Sequence, residues 1–169
     1  MSWKGIPMGF FTKDATPSAQ PSGALQPLAK DRIKHALEQA GWSYNVDSDG
    51  DIGGGWEYGS FYFFVNGNQD ELLCVRGHWR GQLSDREYAQ IVDTCNTWNR
   101  EKLWPKTYAA RDDEGVVRVF TEHNVDYEHG VSDEQLNQHI VCAVNTSMAF
   151  FEQVNETFPE AWAKFKPEE

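Results

Sequence analysis

The sequence predicts an α+β domain: an antiparallel sheet flanked by helices, with elements in the order α-β-β-β-α-β-β-α. Three observations predict it. Apolar residues recur at helical spacing in three separate stretches. Between them lie runs of β-branched and aromatic residues joined by turn signals rather than by long crossovers, so the strand pairs are antiparallel. Aromatic side chains make up 14% of the 169 residues, with seven Trp and ten Phe. That is enough for a self-sufficient core and too many for a disordered chain.

The first helix is read at residues 28–40. Leu25, Ala29, Ile33, Ala36, Leu37 and Ala40 line one face, and Gly41 ends it. Residues 42–47 read as a short strand entering the turn Asp47-Ser48-Asp49-Gly50-Asp51. Gly53-Gly54-Gly55 bends the chain into a second strand at 56–65, rich in the β-formers Phe61, Tyr62, Phe63, Phe64 and Val65. Asn66-Gly67 marks the next turn, and residues 72–79 complete a meander. Ser84 and Glu87 make a capping box that opens the second helix, whose apolar face carries Tyr88, Ile91, Val92, Cys95 and Trp98. Residues 106–111 and 116–123 form a hairpin around Asp112-Asp113-Glu114-Gly115. Ser132 caps the last helix, where Asp133 and Glu134 suit the helix dipole. Its stripe is Leu136, Ile140, Val144, Ser147, Phe151, Val154 and Phe158, and Pro159 stops it.

Residues 1–27 read as a Pro/Ser/Ala-rich tail holding Pro7, Pro17, Pro21 and Pro27. Such a composition buries too little apolar area to offset backbone ordering. Trp3, Ile6, Met8, Phe10 and Phe11 give it an aromatic patch that either docks on the domain or a partner, or stays loose. The folded domain is read at 28–160, with a C-terminal tail at 161–169.

The formal net charge is −11, with 26 acids to 15 bases. A phosphate-binding surface needs clustered Lys and Arg, so neither nucleic acid nor an anionic membrane is an expected partner. No segment approaches the roughly 18 apolar residues of a spanning helix, and residues 1–11 do not read as a signal peptide. Cys74, Cys95 and Cys142 are odd in number and far apart, which reads as buried free thiols in a reducing cytoplasm.

Several local phrases recur in a set order. They are Trp42-Ser43-Tyr44 leading into the Asp47 turn; Phe61-Tyr62-Phe63-Phe64; Val75-Arg76-Gly77-His78-Trp79; Cys95-Asn96-Thr97-Trp98-Asn99; residues 106–108; and Gly130-Val131-Ser132-Asp133 before the long helix. Over about residues 28–160 this pattern resembles the YbjN family. The resemblance implies a type III secretion chaperone-like fold, a label as a sensory transduction regulator, a homodimer and a polypeptide-binding style. By that analogy helix 84–98 and strand pair 106–123 contribute to the two-fold contact. The family brings no catalytic residues.

The sharpest local signal is Asn45-x-Asp47-x-Asp49-Gly50-x-Ile52, which matches the first eight positions of a calcium loop. The loop then fails, because Trp56 stands where a bidentate Glu is needed. A β-turn is the leading reading, with Asn45, Asp47, Asp49 and Asp51 as the alternative metal ligands. His123, Asp126, Glu128 and His129 crowd one stretch without any structural zinc spacing. Gly53-Gly54-Gly55 lacks the Lys and the helix of a phosphate loop. Neither a serine elbow nor a Cys-His pair is present, so the reading assigns no catalytic residue and no cofactor. Trp56, Phe61, Phe63, Val75, Trp79, Trp98 and Trp104 exceed what a thin helical layer comfortably hides; either the final helix simply covers the sheet, or a partly exposed apolar groove is left as a protein-binding site. Phe61, Phe63, Trp79, Trp98 and Trp104 are its expected anchors. The resulting expectation is a non-enzymatic, dimeric, chaperone-like or regulatory module that binds an unidentified protein client. The alternative is a metal- or ligand-sensing domain built on the Asp47–Asp51 loop.

Overall fold

The computed structural model describes residues 23–166. Six strands run in chain order as β1 Asn45–Val46, β2 Ile52–Gly55, β3 Gly59–Asn66, β4 Leu72–Trp79, β5 Lys106–Arg111 and β6 Val117–Asp126. They form one antiparallel sheet in the spatial order β1-β2-β3-β4-β6-β5. Four helices accompany it: α1 Lys30–Gln39, α2 Tyr88–Glu101, α3 Asp133–Thr157 and α4 Pro159–Ala163. The α+β class and the antiparallel sheet are as the sequence implies, with two added elements.

The first addition is β2. Its three glycines pair with β3 through the backbone, Gly53 with Tyr62, Gly54 with Phe61 and Gly55 with Ser60. A ladder needs no side chains, so the glycines lie in the sheet instead of only bending into it. Gly54 has a steric reason as well: a Cβ there would sit 2.8 Å from the Trp56 ring. The second addition is α4. Pro159 ends α3, but its fixed φ also suits the first position of a new helix.

The described fold also extends past both ends of 28–160. Gln26 and Val131 exchange backbone hydrogen bonds of 3.2 and 2.9 Å. At the other end Ala161 is buried, and Trp162 meets Tyr58 edge-on at 5.6 Å. Residues 161–163 are therefore helix rather than tail. Leu25, assigned to the first helix stripe, is 60% exposed and lies before α1. The aromatic patch from Trp3 to Phe11 lies outside the described residues.

The α3 stripe holds the core. Leu136, Ile140, Val144, Phe150, Phe151 and Val154 are buried, and the helix packs on β3, β4 and β6 and against α1 and α2. Ser132 caps it by accepting from the Gln135 amide. Sheet residues alternate faces along each strand. Phe61 and Phe63 of β3, Leu73, Val75 and Trp79 of β4, and Val117 and Val119 of β6 therefore point together into this layer. Within this layer Trp79 Nε1 donates to Asn155 Oδ1 at 2.7 Å.

Candidate functional site

The helices pack on one face of the sheet. On the other, no helix among the described residues covers the strands. The alternation that sends Phe61, Val75 and Val119 inward sends Tyr62 and Phe64 of β3, Arg76 and His78 of β4, Tyr108 of β5, and Phe120 and Glu122 of β6 outward.

Those outward side chains form two stacked ribs. Tyr62 and Phe64 lie parallel with ring centres 5.7 Å apart, and the Arg76 guanidinium lies 5.6 Å from the Phe64 centre. Across the register row Ser60–His78–Phe120–Tyr108, three rings stack in sequence. His78 to Phe120 is 5.0 Å and Phe120 to Tyr108 is 5.2 Å, with the Lys106 ammonium 5.2 Å from the Tyr108 centre. Stacked rings shield each other's faces and leave edges to solvent, so the surface is corrugated and amphipathic, not greasy.

Glu122 stands at the centre of this face and is 8% exposed. Its carboxylate accepts from Arg76 Nε at 3.0 Å and from the Tyr108 hydroxyl at 2.8 Å, and it pairs with Lys106. Burial pushes its pKa up, but the bonds from Lys106, Tyr108 and Arg76 outweigh that and pull it down to about 2. The same burial, with Glu122 beside it, raises the Tyr108 phenol to about 12. Burial, and then the Arg118 guanidinium, push His78 down, which keeps its ring neutral within the stack at pH 7.

The five expected anchors do not gather here. Phe61, Phe63 and Trp79 are fully buried beneath the helices, and Trp98 is buried against Phe150 at 5.2 Å. They serve as core, because α2 and α3 together cover more of the sheet than a thin layer would. Trp104 alone stays on the surface, 50% exposed beside Leu103 at 85%. It lies at the α2–β5 junction, 5.9 Å from the His123 ring.

The Asp47–Asp51 segment is the turn between β1 and β2. Asp47 Oδ1 accepts from the amides of Asp49 and Asp51 at 3.0 and 2.9 Å. The Lys30 ammonium donates to Gly50 O at 2.6 Å and to Asp51 Oδ1 at 3.1 Å. An ammonium therefore already pairs with the turn's Gly50 carbonyl and the Asp51 carboxylate. The four candidate ligands near His123 are not brought together either. His123 is buried against His139, while Glu128 and His129 pair with each other on the surface. Among the described residues, no three His, Cys, Asp or Glu side chains group as a metal site. Burial raises the Cys95 thiol to about 11 and raises Cys74 too, so neither is a thiolate at neutral pH.

The outward residues had a signal of their own. Arg118 and Glu122 alternate with Val117, Val119 and Thr121 along β6, which marks the polar face and places Phe120 on it. No curated protein matches the sequence. A solved structure with this fold is that of YbjN from E. coli, described as a putative transcription regulator. It superposes with a TM-score of 0.67 at 11% identity, covering 79% of this chain and 96% of that one. The family model for YbjN, "Putative bacterial sensory transduction regulator", matches residues 29–156. With that model matching residues 29–156 of the 169, the chain belongs to the YbjN family.

Proposed function

We propose that this protein is a non-enzymatic regulatory module that binds another polypeptide on its uncovered sheet face and works as a homodimer. One observation carries the reading: among the described residues every helix lies on one side of the sheet, and four strands present aromatic or cationic side chains on the other. The six strands are 2, 4, 8, 8, 6 and 10 residues long, and at about 4.8 Å between strands and about 3.3 Å per residue they cover roughly 600 Å². A standard contact buries about 800 Å² per partner and a transient one about 600 Å² or less, so the face suits a transient contact. The dimer contact is assigned to the β5–β6 half and the α2–β5 junction, where Leu103 and Trp104 are exposed together. Cytoplasmic residence belongs to the same proposal and is supported by three free thiols.

Two measurements test it. Sedimentation at tens of micromolar should give about twice the chain mass of 19.3 kDa, and Leu103→Asp should return it to monomer. A monomeric unmodified chain at that concentration refutes the dimer. Reduced, carboxamidomethylated ribonuclease, a permanently unfolded basic chain, should bind in fluorescence anisotropy. Phe64→Ser should weaken that binding at least about fivefold. Equal binding by the variant refutes the sheet face as the contact.

A further inference from the structure

The uncovered face is not uniform. At its β1–β3 end the outward positions of β2 are Gly53 and Gly55, so two side chains are missing from the surface. Tyr62 leans over Gly53, where an added Cβ would lie 3.1 Å from its ring. Over Gly55 nothing comes within 4 Å of that position. Its strand neighbour Ser60 is small, and it stands two residues from Tyr62 on the same face. A cavity of about 250 Å³ results, bounded by Gly55, Ser60, Tyr62, Asp47 and Asp51.

Tyr62 is 41% exposed, and among the described residues its one ring neighbour is Phe64. The rib runs Phe64, Tyr62 and then stops where Ser60 offers no ring. The ring face above Ser60 is therefore open within the cavity. The carboxylates at the cavity's other side give it a sign. Asp47, Asp49 and Asp51 lie on the turn, and among the described residues Lys30 is the one ammonium paired with them, which leaves a local charge of −2 in a chain of −11. An open aromatic face beside uncompensated carboxylates is the surrounding that holds a guanidinium or ammonium.

We infer that this glycine-floored slot receives an arginine or lysine side chain of an extended basic polypeptide, stacked on Tyr62 and paired with Asp47. The missing side chain at 55 lets the partner's backbone approach the sheet there. The inference rests on the uncovered face being the polypeptide-binding surface, and it names the chemistry of the segment bound there.

The probe is a blocked glycine pentapeptide with a central arginine, with its glutamine counterpart as control. It is titrated into the full chain and followed by amide nitrogen–proton NMR. Shifts should centre on residues 53–55 and 60–62 with arginine and be absent with glutamine. Tyr62→Ala should weaken binding about fivefold, and Asp47→Asn, which keeps the oxygen that accepts the turn amides, about two- to fivefold. Gly55→Val puts a β-branched residue where there is room and should abolish the shifts without lowering the melting temperature. The inference is overturned if the arginine peptide leaves those resonances in place, or if Gly55→Val binds as well as the unmodified chain. Unfolded ribonuclease bound through Phe64 with no arginine shift overturns the slot alone; no binding of either probe overturns the open-face reading as well.

Discussion

Replacing Glu122 by Gln removes one charge at the middle of the uncovered face while keeping the shape. In the native protein the carboxylate holds Arg76, Lys106 and the Tyr108 hydroxyl. Its pKa falls to about 2 in the folded state against an ordinary value of 4.5. A folded pKa below the unfolded one adds stability that is fully present above pH 4.5. That stability is lost as the pH falls toward 2. A depression of this size corresponds to at most about 3 kcal/mol, of which roughly 2 kcal/mol is gone by pH 3. Arg76 and Lys106 are about half exposed and rehydrate when the carboxylate goes, so the expected cost of Glu122→Gln at pH 7 is about 2 kcal/mol. Urea unfolding of both proteins at pH 7 and pH 3 measures it. Other carboxylates titrate equally in both, so the difference between the two proteins isolates Glu122. It should shrink from about 2 to below about 1 kcal/mol on acidification. A difference that stays constant between the two pH values refutes the account of Glu122 as a charge held by its neighbours.

Two further outcomes follow from the core beneath. Asn155→Ala strands the Trp79 indole N–H, now bonded at 2.7 Å, and should cost about 2–3 kcal/mol with a changed tryptophan emission; a loss under about 0.5 kcal/mol means water replaces the partner. Gly77→Ala would put a Cβ 2.3 Å from Thr121 Oγ1 and 2.7 Å from the Phe61 ring, so thermal unfolding should show at least about 1–3 kcal/mol of destabilisation, and an unchanged midpoint would mean β4 and β6 can separate there.

How much was legible turns on which residues carry contrast. The α3 stripe was readable because apolar and polar residues alternate at a period of about 3.6 and Ser132 marks its start. Ser84 and Glu87 announced the start of the second helix in the same way, although its first turn is a 3-10 turn, Asp85–Glu87. Strand β2 was hidden because three glycines have no side-chain period at all, and only the pairing with β3 reveals them. Which aromatics of β3 face outward was illegible for a related reason. Phe61-Tyr62-Phe63-Phe64 is aromatic at every position, so alternation in it carries no inside-outside contrast.

The contrast that settles that strand lies elsewhere in the chain. Arg76 and His78 face outward on β4, and antiparallel pairing sets Tyr62 opposite Arg76 and Ser60 opposite His78. Charged residues on β4 and β6 thus determine which rings of β3 reach solvent, although they are far from it in sequence. Once register is known, Phe61 and Phe63 must enter the core, and Tyr62 and Phe64 must stand on the surface. The open ring face of Tyr62 then follows from two small neighbours, Ser60 on its own strand and Gly55 on the next. The slot therefore depends on residues chosen for what they lack, and a reading by enrichment in reactive or aromatic side chains passes over such positions.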